Sequence, residues 1–263
     1  MNGFDTVEGR WIDQLGTLRN VIRQEIIGRQ LADLVRPGMH VLDVGCGQGT
    51  QVMGLASAGC HVTGIDPSEA LLRLLAERAS ALGVEIEIIR GRVEDLDELV
   101  PGRRFDLVCS HGLLMYLEDR DVALSALAAR TRPGGKLSVT FRNGHALAMR
   151  PGLRGDWKGA TAAFESSLYI NELGTPAAAD RLEDIECCLA SVGLGIVRWY
   201  GVRVFNDAIP ADTGVPGEEV LSSLLDAEEL AGRTDPYRWV ASQIHVIAER
   251  SRAGDASAQP RAE

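Results

Sequence analysis

The 263-residue sequence predicts an α/β fold, a mostly parallel sheet of seven strands with helices on both faces. Three observations carry this. Short apolar runs alternate with amphipathic helical stretches along most of the chain, the pattern of successive βαβ units. The first run stops at a glycine loop, Gly45-Cys46-Gly47-Gln48-Gly49. The second ends on Asp66, about 20 residues beyond the first glycine, where a ribose-binding carboxylate belongs in such sheets.

Each element has its own reason. Residues 17–35 carry Leu18, Val21, Ile22, Ile26, Ile27, Leu31 and Leu34 at the spacing of an amphipathic helix, and Pro37-Gly38 ends it. Arg19, Arg23 and Arg29 decorate this helix, and Arg23 and Arg29 read as solvated face charge. Residues 40–44 pack apolar, β-branched side chains without helical spacing, as a strand buried on both faces does. The alternating glycines that follow let the chain turn at positive φ and lie flat against a ligand before a helix at 48–58. A second strand at 61–65 leads through Asp66 to Pro67-Ser68, which opens a helix that Gly83 stops. Residues 85–89 form the third strand and 105–110 the fourth, running into Ser110-His111-Gly112. A helix at 122–129 and the turn Arg132-Pro133-Gly134-Gly135 lead to a fifth strand at 136–141.

From 142 to about 180 the pattern loosens into an insertion, a place for a substrate lid. Within it Arg142, Arg150, Arg154 and Lys158 face only Asp156. A solvated loop accounts for such charges, and so does an anionic substrate drawn to them. A helix at 181–192, strands at 196–204 and 244–248, and an acidic helix at 218–230 complete the seven strands. One domain therefore accounts for residues 1–250, and the polar, Ala-rich stretch 251–263 reads as a disordered tail.

Composition narrows the class. Hydrophobic residues at 45% and charged ones at 24% are ordinary globular values. No apolar run approaches the roughly 20 residues of a membrane span, and the opening MNGFDTVEGR holds no apolar signal region. A cytoplasmic protein with no membrane partner is expected. Cys46, Cys60, Cys109, Cys187 and Cys188 lack metal-ligand spacing, so reduced thiols and no metal are expected. The formal charge of −10 argues against unaided nucleic-acid binding, although net charge is not distribution.

Thr50 stands where a dinucleotide-binding turn carries its third glycine. The resulting Gly45, Gly47, Gly49 spacing, with Asp66 after the second strand, resembles that of the Rossmann-like S-adenosylmethionine-dependent methyltransferases. Further stretches narrow the likeness: Gly16-Thr17-Leu18-Arg19, Ser110-His111, Phe141-Arg142-Asn143-Gly144-His145, Gly201-Val202-Arg203-Val204-Phe205-Asn206-Asp207, and Pro236-Tyr237 with Ile244-His245-Val246. In these the chain resembles the bacterial tRNA 5-carboxymethoxyuridine methyltransferase family, which methylates the carboxylate of a modified wobble uridine. The resemblance implies S-adenosyl-L-methionine as cofactor, methyl transfer to an oxygen, and either modified tRNA or a small acidic molecule as acceptor.

It also implies roles. Arg19 would bind the methionine carboxylate, Gly45 and Cys46 the methionine end, Asp66 the ribose, Val93 and Glu94 the adenosine, and His111 the region beside the sulfonium, with Gly47 also on the cofactor. Arg203, Tyr237 and His245 would stand on the acceptor side. A guanidinium forks onto a carboxylate with two parallel bonds, the chemistry both Arg19 and Arg203 would need. Arg92 stands where many such enzymes place an acid, and Phe164-Glu165-Ser166-Ser167-Leu168-Tyr169 contains no Lys or Arg.

Alternatives remain beside these readings. His111 fits a cofactor contact, a catalytic base or a satisfied structural histidine, and Arg203 fits a structural ion pair. A sulfonium is already activated, so an ionised carboxylate needs no general base, whereas a hydroxyl acceptor would use His111 or His245. An NAD-binding oxidoreductase, against which Thr50 speaks, and a cofactor-binding module without catalysis are the competing classes.

Overall fold

The computed structural model describes Gly9 and residues 16–171, 174–210 and 212–252. Apart from Gly9, the opening segment read for a signal lies outside the described residues, as does all but the start of the expected tail. Strands β1 (His40–Val44), β2 (His61–Asp66), β3 (Ile86–Arg90), β4 (Phe105–His111), β5 (Thr131–Arg142), β6 (Leu168–Ile170), β7 (Pro176–Ala178), β8 (Leu194–Val202) and β9 (Gln243–Arg250) follow in order. Seven of them form one sheet, β3-β2-β1-β4-β5-β9-β8. Pairing is parallel from β3 to β5, and β9 runs antiparallel to both β5 and β8. The expected mostly parallel seven-stranded sheet is the one present.

Among the described residues, helices α1 (Leu18–Ala32), α2 (Thr50–Ser57), α3 (Glu69–Leu82), α4 (Leu96–Leu99), α5 (Arg120–Arg130), α6 (Met149–Leu153), α7 (Trp157–Ala162), α8 (Leu182–Ser191) and α9 (Glu218–Gly232) lie between and beside the strands. Strand alternation sorts the core into two layers. Val41, Leu107 and Cys109 pack with Ile22 and Ile26 of α1, Val52 of α2, Leu75 of α3 and Leu225 of α9. Leu42, Val44 and Val108, one residue out of phase, pack with Leu124 and Leu127 of α5 and Ile185 and Leu189 of α8. Both faces are therefore covered, which is why these strands read as continuous apolar runs. Each fully buried Ile or Leu contributes about 1.5–3 kcal/mol relative to exposure.

Local chemistry ends the elements. Ser68 caps α3 by accepting from the Leu71 amide at 3.1 Å, and Gly83 closes that helix at φ +63°. Strand β8 stops at Val202 rather than 204, because Arg203 turns the backbone to φ +64°. Strand β5 starts at Thr131, so Arg132-Pro133-Gly134-Gly135 lies inside a strand with a register shift and not in a turn ahead of it. The expected loose insertion is folded: α6, α7 and the β6–β7 hairpin fill it, and its ends meet where Gly144 N–H donates to Asp180 O at 2.8 Å. Among the described residues no helix is long and apolar enough to cross a membrane.

Candidate active site

The carboxyl ends of β1, β2 and β4 open on one cleft, as parallel sheets of this kind arrange it. After β1, the amides of Gly45 and Cys46 both donate to Ile65 O, at 2.8 and 3.1 Å, tying the loop to the end of β2. The next amide turns outward. Gly47 N–H donates to Asp66 Oδ2 at 2.9 Å, while Ser68 N–H donates to Asp66 Oδ1 at 2.9 Å. Gly49 leaves the loop at φ +81°, and a Cβ there would overlap Leu75 of α3, so this turn requires glycine.

Asp43 lines the cleft beneath the loop and is buried. Burial, and then the charge of Asp66, raise its carboxyl to about 7. Burial also pushes the Cys46 thiol well up, so this neutral thiol offers backbone and bulk rather than a thiolate. On the far wall Val93 and Glu94 occupy a single 3₁₀ turn after β3, and Arg92 lines the cleft beside them.

His111 ends β4 and heads a buried chain of polar groups. Its Nε2 lies 2.9 Å from Ser138 Oγ, which lies 2.7 Å from His245 Nε2, and His245 Nδ1 lies 2.6 Å from Gln30 Oε1. Burial first, and Arg23 second, lower His111 to about 3; burial and the neighbouring His111 hold His245 well below the usual imidazole range. Both rings are neutral at physiological pH.

A second hollow adjoins the cleft, lined by Arg142, Arg150, Arg154, Tyr169 and Asn171. Asn171 Nδ2 donates to the hydroxyl of Tyr116, a wall residue of the cleft, at 3.1 Å. Beside the hollow, three guanidiniums converge on one acid. Arg150 grips Asp207 bidentately at 2.7 and 2.9 Å, Arg142 reaches it at 3.2 Å, and Arg203 closes on it four residues earlier in the chain. These cations hold the Asp207 carboxyl far below the usual range despite its burial. Glu228 of α9 secures the turn by accepting from the Val204 and Phe205 amides at 2.7 and 2.9 Å. Arg19 donates to Ile209 O at 3.2 Å, and burial together with Arg203 and Arg150 lowers its pKa to about 9.

The chain is similar to several known proteins. Residues 41–135, the stretch that carries the glycine loop, Asp66 and His111, match the family model described as a methyltransferase domain. The chain is 27% identical over 91% of its length to the Escherichia coli K12 tRNA 5-carboxymethoxyuridine methyltransferase, of which 91% is covered. The chain is an S-adenosylmethionine-dependent methyltransferase. It is also 36% identical, over 53% of its length and 58% of the relative, to a ubiquinone biosynthesis O-methyltransferase from Alkalilimnicola ehrlichii. The Synechocystis magnesium protoporphyrin IX methyltransferase, solved with S-adenosylhomocysteine, shares the fold at TM-score 0.62 and 19% identity, covering 94% of this chain and 95% of that one.

The cleft of the methyltransferase suits such a donor. Its glycine loop presents backbone without side chains, and the Gly47 and Ser68 amides fix the Asp66 carboxylate at its edge. Gly45, Cys46, Gly47, Asp66, Val93, Glu94 and His111 all line it. Arg19 does not. One helical turn on, Arg23 lines the cleft instead, half-buried, so its reading as solvated face charge is corrected: α1 turns that arginine inward. Arg29 is paired at the surface with Asp226 and Glu229 at 2.8 and 3.0 Å.

Of the residues expected on the acceptor side, Arg203 is buried in the arginine cluster, His245 is buried in the chain behind His111, and Tyr237 is exposed against Phe205. Sequence reasoning missed Asp43, Gln30, Ser138 and Asp207. Arg23 had a signal, since four residues separate it from Arg19 on one helical face. Ser138 and Gln30 had none, because their roles arise from strand register and helix packing across the sheet.

Proposed function

We propose that this methyltransferase transfers the methyl group of S-adenosyl-L-methionine to a carboxylate oxygen, and that its acceptor is the carboxymethoxy group of a modified wobble uridine in tRNA. The observation that carries this reading is the cluster of Arg142, Arg150 and Arg203 on the single carboxylate of Asp207, with Arg19 in its field and the donor cleft next door. Three guanidiniums against Asp207 and the Glu228 carboxylate that also acts on Arg203 leave a positive excess in a partly desolvated place. An acceptor carboxylate entering the hollow would relieve it through charge-assisted bonds. The likeness to the tRNA 5-carboxymethoxyuridine methyltransferase over 91% of the chain supports the same acceptor.

The residues divide the work simply. Asp66 would hold the ribose hydroxyls, Val93 and Glu94 the adenosine edge, and Arg23 or Arg19 the methionine carboxylate. Bound there, the donor supplies an activated methyl group on a sulfonium. The arginines would orient the acceptor so that one oxygen points in line, the geometric requirement of a displacement. An ionised carboxylate gives up no proton, so a neutral His111 suits the site better than a charged one would.

The test is incubation with a labelled methyl donor and two acceptor pools, RNA and small molecules from cells lacking the enzyme. Label should enter tRNA and leave under mild alkali, because a methyl ester hydrolyses where an ether does not. Label confined to the small-molecule pool overturns the tRNA acceptor. Alkali-stable label overturns the carboxylate.

A further inference from the structure

Two imidazoles, a hydroxyl and an amide stand in series from the wall of the donor cleft to α1: His111, Ser138, His245 and Gln30. Such a series transmits a proton assignment from one end to the other, because a hydroxyl has one proton to give. At the inner end Gln30 turns its carbonyl oxygen to His245 Nδ1. An amide oxygen only accepts, so the His245 proton sits on Nδ1 and its Nε2 is a lone pair. Ser138 must then donate to His245 and accept from His111, which places the His111 proton on Nε2. His111 Nδ1 is left a buried lone pair with no partner among the described residues.

At the outer end Arg23 lines the same cleft, and its positive charge acts on the His111 ring, which opposes a second proton there. Strand register supplies the spacing. Ser138 of β5 sits beside Cys109 in β4 and Ile247 in β9, so the hydroxyl of the middle strand reaches rings on both neighbours.

We propose that Gln30, His245 and Ser138 are positioning residues that hold the His111 proton on Nε2 and keep the ring neutral and fixed in orientation against the cationic methyl donor. His245 thereby belongs behind the donor, not beside the acceptor. The proposal rests on the reading of this cleft as the donor site, but its first test does not involve the donor.

Nitrogen-15 labelling of the histidines in the donor-free protein distinguishes a protonated ring nitrogen from a lone-pair one. The expected spectrum has His111 protonated on Nε2 and His245 on Nδ1, both unchanged between neutral and mildly acidic pH. The reverse assignment, or an imidazolium at either ring near neutrality, overturns the proposal. Ser138→Ala should then produce a mixture of His111 tautomers and raise the donor KM roughly two- to ten-fold, the scale of one lost hydrogen bond, with kcat changed far less. Ser138→Thr should restore the wild-type spectrum and KM. A Ser138→Ala protein with the wild-type tautomer and KM also overturns it. If Ser138→Ala fails to fold, Gln30→Glu, which presents an acceptor to the same nitrogen, should keep the wild-type tautomers; a switched His111 there contradicts the proposal.

Discussion

The carboxylate of Asp66 accepts the Gly47 amide at 2.9 Å, so the acid that ends β2 is bonded to the loop that ends β1. That bond fixes the distance between the two parts of the site expected to hold one nucleoside.

Asp66→Ala should weaken S-adenosylhomocysteine binding by about 1.5–3 kcal/mol, the value of hydrogen bonds to a charged acceptor, or roughly ten- to hundred-fold. Isothermal titration calorimetry measures it. Unchanged affinity would move the ribose away from Asp66.

Gly49→Ala places a Cβ in a left-handed turn and against Leu75, and should lower the unfolding free energy by about 1–3 kcal/mol from the backbone alone. Urea denaturation reads the loss. An equally stable variant would show that the loop relaxes freely about α3.

The glycine loop and the sheet were legible because their signals are local. A turn that needs positive φ must be written in glycine, and strands buried on both faces must be written as apolar runs. The arginine cluster was legible only in pieces. Arg142, Arg150 and Arg203 each stand out in the sequence, but nothing in their spacing says that β5, the insertion and the turn after β8 meet at Asp207. Arg19 and Arg23 show the same limit on a smaller scale, since periodicity fixes the faces of α1 and not which of two neighbouring arginines reaches the cleft.

Asp207→Asn should destabilise the fold by about 3–5 kcal/mol, because it strands buried cations that now share one carboxylate. The native carboxyl titrates below its unfolded value, so its contribution is complete above about pH 4 and is lost as pH falls below that. Thermal unfolding of the variant and the wild type should therefore converge on acidification. A gap that persists at low pH contradicts this assignment.

Asp43 should act in the opposite sense. Its native carboxyl keeps a proton up to about pH 7 while the unfolded one loses it near 4, so the native state binds more protons between those values and stability falls as pH rises through them. His111 and His245 oppose it, since the unfolded rings take up protons below about pH 6.5 that the native rings refuse, and that stability is lost as pH falls. Asp43→Asn removes only the first effect. Between pH 4.5 and 6.5 (approximately) its unfolding free energy should rise with pH more steeply than that of the wild type, by up to about 1.4 kcal/mol per unit. Parallel curves would mean that Asp43 is ionised in the native state.

The most direct measurement is a crystal structure with S-adenosylhomocysteine bound. The account predicts both ribose hydroxyls on Asp66, the adenine at Val93 and Glu94, and the sulfur beside His111, facing the hollow of Arg142, Arg150 and Arg154. A nucleoside bound elsewhere, or a sulfur turned away from that hollow, would contradict it.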